Sequence, residues 1–175
     1  MTLLPAPAIM RTEPLLVLAA RHARLLRRLL APLCMSLAIS SAAVAETPAG
    51  DLDLSKYKGK VVYVDFWASW CGPCQESFPW MSALEKRMPA DDFVLIAVNV
   101  DHEREKADAF LKRVGGGVPV IYDSDGAIAR KFGVKGMPSS FVIGRDGKTL
   151  FSHEGFFIEK EPTYEAHIAE ARRAK

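Results

Sequence analysis

Two cysteines, Cys71 and Cys74, separated by Gly72 and Pro73, are the residues of this 175-residue chain whose types and spacing can do chemistry. They follow an apolar, β-branched run, Val61-Val62-Tyr63-Val64-Asp65-Phe66-Trp67, and precede a helical pattern from about Gln75 to Met88. The pair therefore sits where a buried strand ends and a helix begins. The first turn of a helix has unpaired N–H groups and a positive dipole end. A thiolate there is stabilised, and its pKa falls below that of a free cysteine. This marks Cys71 as the expected exposed nucleophile. Cys74, three residues on, shares its helical face at about 5–6 Å between Cβ atoms, from which a small inward adjustment reaches disulfide distance. Pro73 suits the first helical turn, where its missing N–H costs nothing, and Gly72 leaves the approach to Cys71 uncrowded. The spacing predicts a dithiol that cycles with its disulfide.

Two other uses of a C-x-x-C pair compete with this one. Half of a zinc site needs about four Cys or His ligands, usually from a second paired motif. The third cysteine, Cys34, lies in a segment expected to be removed, and His102, His153 and His167 are scattered without paired spacing. A purely structural disulfide is the second. A ring this small is a poor staple, because loop-closure stabilisation grows with loop length.

The segment Asp65-Phe66-Trp67-Ala68-Ser69-Trp70-Cys71-Gly72-Pro73-Cys74 resembles the active-site segment of the thioredoxin superfamily. Gly136-Met137-Pro138-Ser139-Ser140-Phe141-Val142-Ile143 resembles its cis-proline segment, and Gln75-Glu76-Ser77-Phe78-Pro79-Trp80-Met81 is similar to the TlpA/ResA-like branch. The resemblance covers about Leu54 to Lys175. It implies an α/β, thioredoxin-like fold: a central mixed β-sheet flanked by helices, with the TlpA/ResA-type central insertion. It implies a thiol–disulfide oxidoreductase in which Cys71 attacks and Cys74 resolves, with no cofactor beyond that dithiol. Asp65 would lie beneath the cysteines as a general base and acid, without the lysine that thioredoxins usually place on the next strand. Trp70, Gly72, Pro73, Met137 and Pro138 would form the substrate-binding surface, with the backbone before a cis Pro138 pairing to an extended substrate. In ResA-like proteins a glutamate just after the second strand approaches the active site; Asp101 and Glu103 are the candidates here. Glu76 stands one position from the branch's usual glutamate and is expected on the solvated surface.

The elements that must position these residues follow in order. Residues 1–45 carry five arginines, one acid (Glu13), an uncharged apolar run from Leu29 and an Ala43-Val44-Ala45 end, the pattern of a cleaved signal peptide. An uncleaved anchor is the alternative, although the apolar run is shorter than the roughly 20 residues of a spanning helix. Subtracting the leader's five arginines and one glutamate from 23 basic and 21 acidic side chains leaves 18 and 20, so residues 46–175 are slightly acidic. The basic character of the whole chain thus gives no indication of nucleic-acid binding. Asp51 to Ser55 alternates and predicts a short edge strand. Core strands are expected at Val61–Ala68 and Phe93–Val100, joined by the helix from Cys71 to Met88, with Phe78, Met81, Leu84 and Met88 inward and a kink at Pro79. A helix over Asp101–Val114, a short strand at Val118–Tyr122, a short helix at Ala127–Phe132, a hairpin of Ser140–Ile143 with Thr149–His153, and a last helix from Pro162 to about Ala174 complete one domain.

The function expected is reduction of selected protein disulfides in the periplasm, for cytochrome c maturation or copper-site assembly. Its electrons would come from a membrane thiol donor, it would act as a monomer, and it would touch the membrane itself only through an uncleaved leader. A Cu(I)-binding assembly factor using the same dithiol and a non-catalytic thioredoxin-like interaction module remain as alternatives.

Overall fold

A computed structural model describes residues 52–174; the expected leader and Cys34 lie outside them. The described residues form five strands and four α-helices in the order β1 Val61–Trp67, α1 Gly72–Arg87, β2 Phe93–Asn99, α2 Arg104–Val114, β3 Val120–Tyr122, α3 Ala127–Phe132, β4 Ser139–Ile143, β5 Thr149–Glu154 and α4 Glu161–Arg173. The sheet order is β3-β2-β1-β4-β5. β1, β2 and β3 are parallel, while β4 runs antiparallel to β1 and β5 antiparallel to β4. This is the expected mixed sheet flanked by helices.

β1 is central because every one of its residues is buried. A strand covered on both faces reads as a near-continuous apolar run, which is how Val61–Trp67 reads apart from Asp65. Its alternation divides the core. Val61, Tyr63 and Trp67 join Phe78, Met81 and Leu84 of α1, Phe110 of α2 and Ile168 of α4 in one layer. Val62, Val64 and Phe66 join Ile128 and Ala129 of α3 in the other. Asp65 falls by period on the α1 side. Helix α1 continues through Pro79. Gly115, at φ +94°, ends α2 in the left-handed conformation that glycine adopts without a Cβ penalty.

The edge strand expected near Asp51–Ser55 does not form. Leu54–Tyr57 is a short 3₁₀ turn, because Asp53 Oδ1 accepts from both Ser55 N (3.0 Å) and Ser55 Oγ (2.6 Å). Such local bonds offer the backbone an alternative to a ladder. α2 begins at Arg104, later than expected, because Asp101 is held in the loop before it.

At the end of the sheet where β1 starts, Asp92 accepts from Arg145 of the β4–β5 turn and from Arg172 in the last turn of α4. Arg145 also donates to the carbonyls of Gly59 (2.6 Å) and Arg172 (3.1 Å). These charge-assisted bonds gather four chain segments and hold the Asp92 carboxyl below the ordinary carboxylate range, Arg172 first and Arg145 next.

Candidate active site

The site is built where β1 leaves the sheet. After Trp67 the chain turns through Ala68–Trp70, and Cys71 is the N-cap of α1. Cys71 and Cys74 form a disulfide, with Cα atoms 5.3 Å apart. The Cys74 N–H donates to Cys71 Sγ at 3.2 Å, so Cys71 takes the place usually held by a capping oxygen. A backbone donor and a helix N-terminus thus converge on one sulfur, and both favour its thiolate. Exposure differs from expectation. Cys71 is 4% exposed and Cys74 fully buried, so the expected nucleophile lies at the floor of a surface, not above it. Around it Trp70 is 71% exposed, and Gly72 and Pro73 are exposed. A Cβ built at Gly72 meets nothing within 4 Å, so glycine leaves open space beside Cys71.

Behind the sulfurs lies an aromatic wall. The Trp67 ring packs at 4.8 Å from both Phe78 and Phe110, which are 5.2 Å from each other. Glu76 is exposed, as expected, and Ser77 beside it is buried, its hydroxyl donating to the Cys74 carbonyl at 3.1 Å. The Met137–Pro138 bond is cis. Ser139, the next residue, pairs with Phe66, so the proline stands beside the end of β1 that leads to the cysteines. Met137 is half-buried against the layer that contains both cysteines, and Pro138 is buried.

Asp65 is 2% exposed, and its Oδ2 has no hydrogen-bond partner. Burial alone pushes its pKa well up. Its neighbours in the sheet are Ala97 on β2 and Ser140 on β4. β2, the next strand, carries no lysine to compensate the charge of Asp65.

Of the two acids after β2, the structure separates the roles. Glu103 is exposed and pairs with Lys106 at 2.8 Å. Asp101 is buried, and its carboxylate accepts from Ser69 N (2.8 Å), Ser69 Oγ (2.9 Å) and Asn99 Nδ2 (2.8 Å). It anchors the turn that carries Trp70 and Cys71. Asp101→Ala is expected to destabilise the protein by about 2–4 kcal/mol, because it strands three donors, at least one in a buried setting. Urea unfolding measures this, and a loss under about 1 kcal/mol would show that the turn is held by other contacts.

Sequence spacing missed one cluster. His153 and His167, which read as scattered, are in contact: His153 Nε2 lies 2.8 Å from His167 Nδ1, and His153 Nδ1 lies 3.1 Å from Ser140 Oγ. The rings are nearly coplanar, their planes 4° apart and their centroids 5.1 Å apart. Burial, and then the charge of His167, lowers the His153 pKa to about 4. Between that value and about 6.5 the unfolded chain binds more protons. Stability is therefore lost as pH falls from about 6.5 towards 4. His153→Gln is expected to remove about 1–2 kcal/mol of that acid loss, allowing for solvent screening of a partly exposed ring. Unfolding curves at several pH values test this; parallel profiles for the two proteins would exclude His153 as the source.

Among the described residues no group of three or more His, Cys, Asp or Glu side chains is placed to hold a metal ion, and no helix is long and apolar enough to cross a membrane.

Comparison with known proteins agrees with this geometry. The Redoxin family profile matches residues 38–168. The chain belongs to the Redoxin family. The redoxin is 33% identical over 99 residues to the thiol-disulfide oxidoreductase ResA of Bacillus subtilis, a match covering 57% of this chain and 55% of that protein. The chain thus spans little more than half the length of the curated relatives it matches. A solved structure described as a thiol:disulfide interchange protein DsbE from Chlorobium tepidum is 45% identical, with TM-score 0.65, covering 68% of this chain and 84% of that one. The pneumococcal exposed lipoprotein thioredoxin Etrx1 of Streptococcus pneumoniae is 32% identical, with TM-score 0.55, covering 67% and 89%. The redoxin therefore has a thioredoxin-like fold with its cysteine pair at the expected helix N-terminus.

Proposed function

We propose that this redoxin is a thiol–disulfide oxidoreductase that reduces selected protein disulfides in an exported, periplasmic compartment. One observation carries the reading: the Cys71–Cys74 disulfide closes at a helix N-terminus, with Cys71 Sγ accepting the Cys74 N–H. The likeness to ResA and DsbE supports it and favours substrates of cytochrome c maturation or copper-site assembly.

In the reduced protein the Cys71 thiolate attacks a substrate disulfide. One substrate sulfur leaves as thiolate, and the other remains bonded to Cys71. Asp65 takes the proton from Cys74 Sγ, and the Cys74 thiolate attacks Cys71 Sγ. The second substrate thiolate leaves, two electrons have passed to the substrate, and Cys71–Cys74 is reformed. A membrane thiol donor returns the pair to the dithiol, and no further cofactor is needed. Trp70, Gly72 and Pro73 would meet the substrate around the recessed sulfur. The Met137 backbone before Pro138 would pair with an extended substrate segment as an added strand.

Equilibration with a glutathione couple tests the direction. A reductant is expected at about −220 mV or lower, in the range of glutaredoxins and thioredoxin. A value near −120 mV, as strong an oxidant as DsbA, would overturn the reductase reading.

A further inference from the structure

The Asp65 carboxyl is 2% exposed. To take a proton in one half of a redox cycle and return it in the other, it must exchange with water that it does not touch. The sheet supplies a row of side chains beside it. Asp65 on β1 is in register with Ser140 on β4, and Ser140 with His153 on β5. Cross-strand neighbours on one face hold their Cβ atoms about 4.5–5.5 Å apart; Asp65 Oδ2 is unpartnered in the oxidised protein, so the carboxyl–hydroxyl link forms only when the Ser140 or Asp65 side chain turns towards the other. From Ser140 the connection is drawn: Oγ to His153 Nδ1 at 3.1 Å, then His153 Nε2 to His167 Nδ1 at 2.8 Å on α4.

We propose that Ser140, His153 and His167 form a proton relay joining the buried Asp65 carboxyl to solvent. The proposal rests on the reading of Asp65 as the base that deprotonates Cys74. Both histidine rings are only half-buried, and His153 borders a surface pocket of about 340 Å³ shared with Glu154, Lys160 and Tyr164. Two contacts fix the geometry: His153 and His167 lie nearly coplanar and end to end, and His167 stacks on Phe151 at 4.1 Å. Tyr164 of α4 packs edge-on to His153 at 4.8 Å. Tyr63 of β1, hydrogen-bonded to Ser140, is held protonated well above its ordinary range by burial and by the nearby Asp65. The groups facing the relay are thus Asp65 and Tyr63 from β1, Tyr164 from α4, and Glu154 and Lys160 at its outer end. A His153 that stays neutral down to about pH 4 keeps one donor and one acceptor nitrogen, as a relay requires.

The protons balance. Asp65, having taken the Cys74 proton, gives one to Ser140 Oγ. The Ser140 proton passes to His153 Nδ1, that on His153 Nε2 to His167 Nδ1, and His167 Nε2 releases one to water. Both histidines are left in the opposite tautomer. When the disulfide is reduced again, one proton travels inward by the same links, so the cycle restores the starting tautomers.

The test is stopped-flow oxidation of the reduced protein by glutathione disulfide, in H₂O and D₂O, for wild type, Asp65→Asn, His153→Ala and His167→Gln. Each histidine variant is expected to slow the resolving step about tenfold and to lower its solvent isotope effect, and free imidazole should restore the rate of His153→Ala. Histidine variants at wild-type rate beside a slow Asp65→Asn would overturn the relay and leave the Asp65 reading standing. Asp65→Asn at wild-type rate would remove both. Slowing with an unchanged isotope effect and no imidazole rescue would show a purely structural role and also overturn the relay. His167→Gln leaves the Ser140–His153 link in place, so it decides the matter alone if His153→Ala does not fold.

Discussion

Cys71→Ser is expected to lower insulin-disulfide reduction by at least about 10³-fold, with little change in fold. The size follows from what is lost. A serine hydroxyl stays protonated at neutral pH, and neither the helix N-terminus nor the Cys74 N–H can make it an attacking anion of comparable strength. Breaking the disulfide costs little stability, because the closed loop spans only Cys71 to Cys74 and loop-closure stabilisation shrinks with loop length. Cys74→Ser should behave differently. Its Cys71 still attacks but cannot be resolved, so a mixed disulfide accumulates and is visible by mass. A Cys71→Ser protein within tenfold of wild-type activity would leave the interaction-module reading as the stronger one.

The second large effect concerns stability. Asp65 is buried, lacks the lysine that would compensate its charge, and has an unpartnered Oδ2. Its folded-state pKa is raised well above the ordinary carboxylate value. Between the two values the folded state binds more protons than the unfolded state, so stability falls as pH rises through that window. Asp65→Asn removes the ionisation while keeping the shape. The variant should gain about 2–4 kcal/mol over wild type at pH 8–9, the order associated with an uncompensated buried charge, and the gap should close near pH 4. This slope is opposite in sign to that of His153, so the two are separable in one series of urea curves on the oxidised protein. Identical pH slopes for Asp65→Asn and wild type would mean that the carboxyl finds a partner or water in solution. A gain in stability joined to a loss of turnover is the pattern expected of a group retained for chemistry.

Much of the site was legible because its signals are local. The near-continuous apolar run of β1, the cysteines following it and Phe78, Met81 and Leu84 at helical spacing point to one strand–turn–helix unit, and that unit forms. The burial of Asp65 was legible through its match to the family's position, because a lone acid in a strand otherwise points to solvent. The cis bond before Pro138 was legible only through resemblance, since residue types alone do not set the isomer. What stayed hidden depends on contacts between distant elements. His153 and His167 are fourteen residues apart on a strand and a helix, and no periodicity joins them. The division between Asp101 and Glu103 depended on where the Ser69 amide would point. The 3₁₀ turn at Leu54–Tyr57 was hidden because the alternation there suggests a strand, whereas the capping bond of Asp53 decides the backbone.

The Asp92 cluster gives the domain two ends that respond to different conditions. Its carboxylate and both guanidinium groups are partly open to water, with side-chain exposures of 21% for Asp92 and 31% for each arginine. Dissolved salt screens charges in such a setting, while the cysteines at the far end of β1 are buried within an apolar cluster, where screening is weaker. Ionic strength should therefore loosen the joint between the hairpin turn and the C-terminal helix without altering the thiol chemistry, whereas a change of reductant should do the reverse.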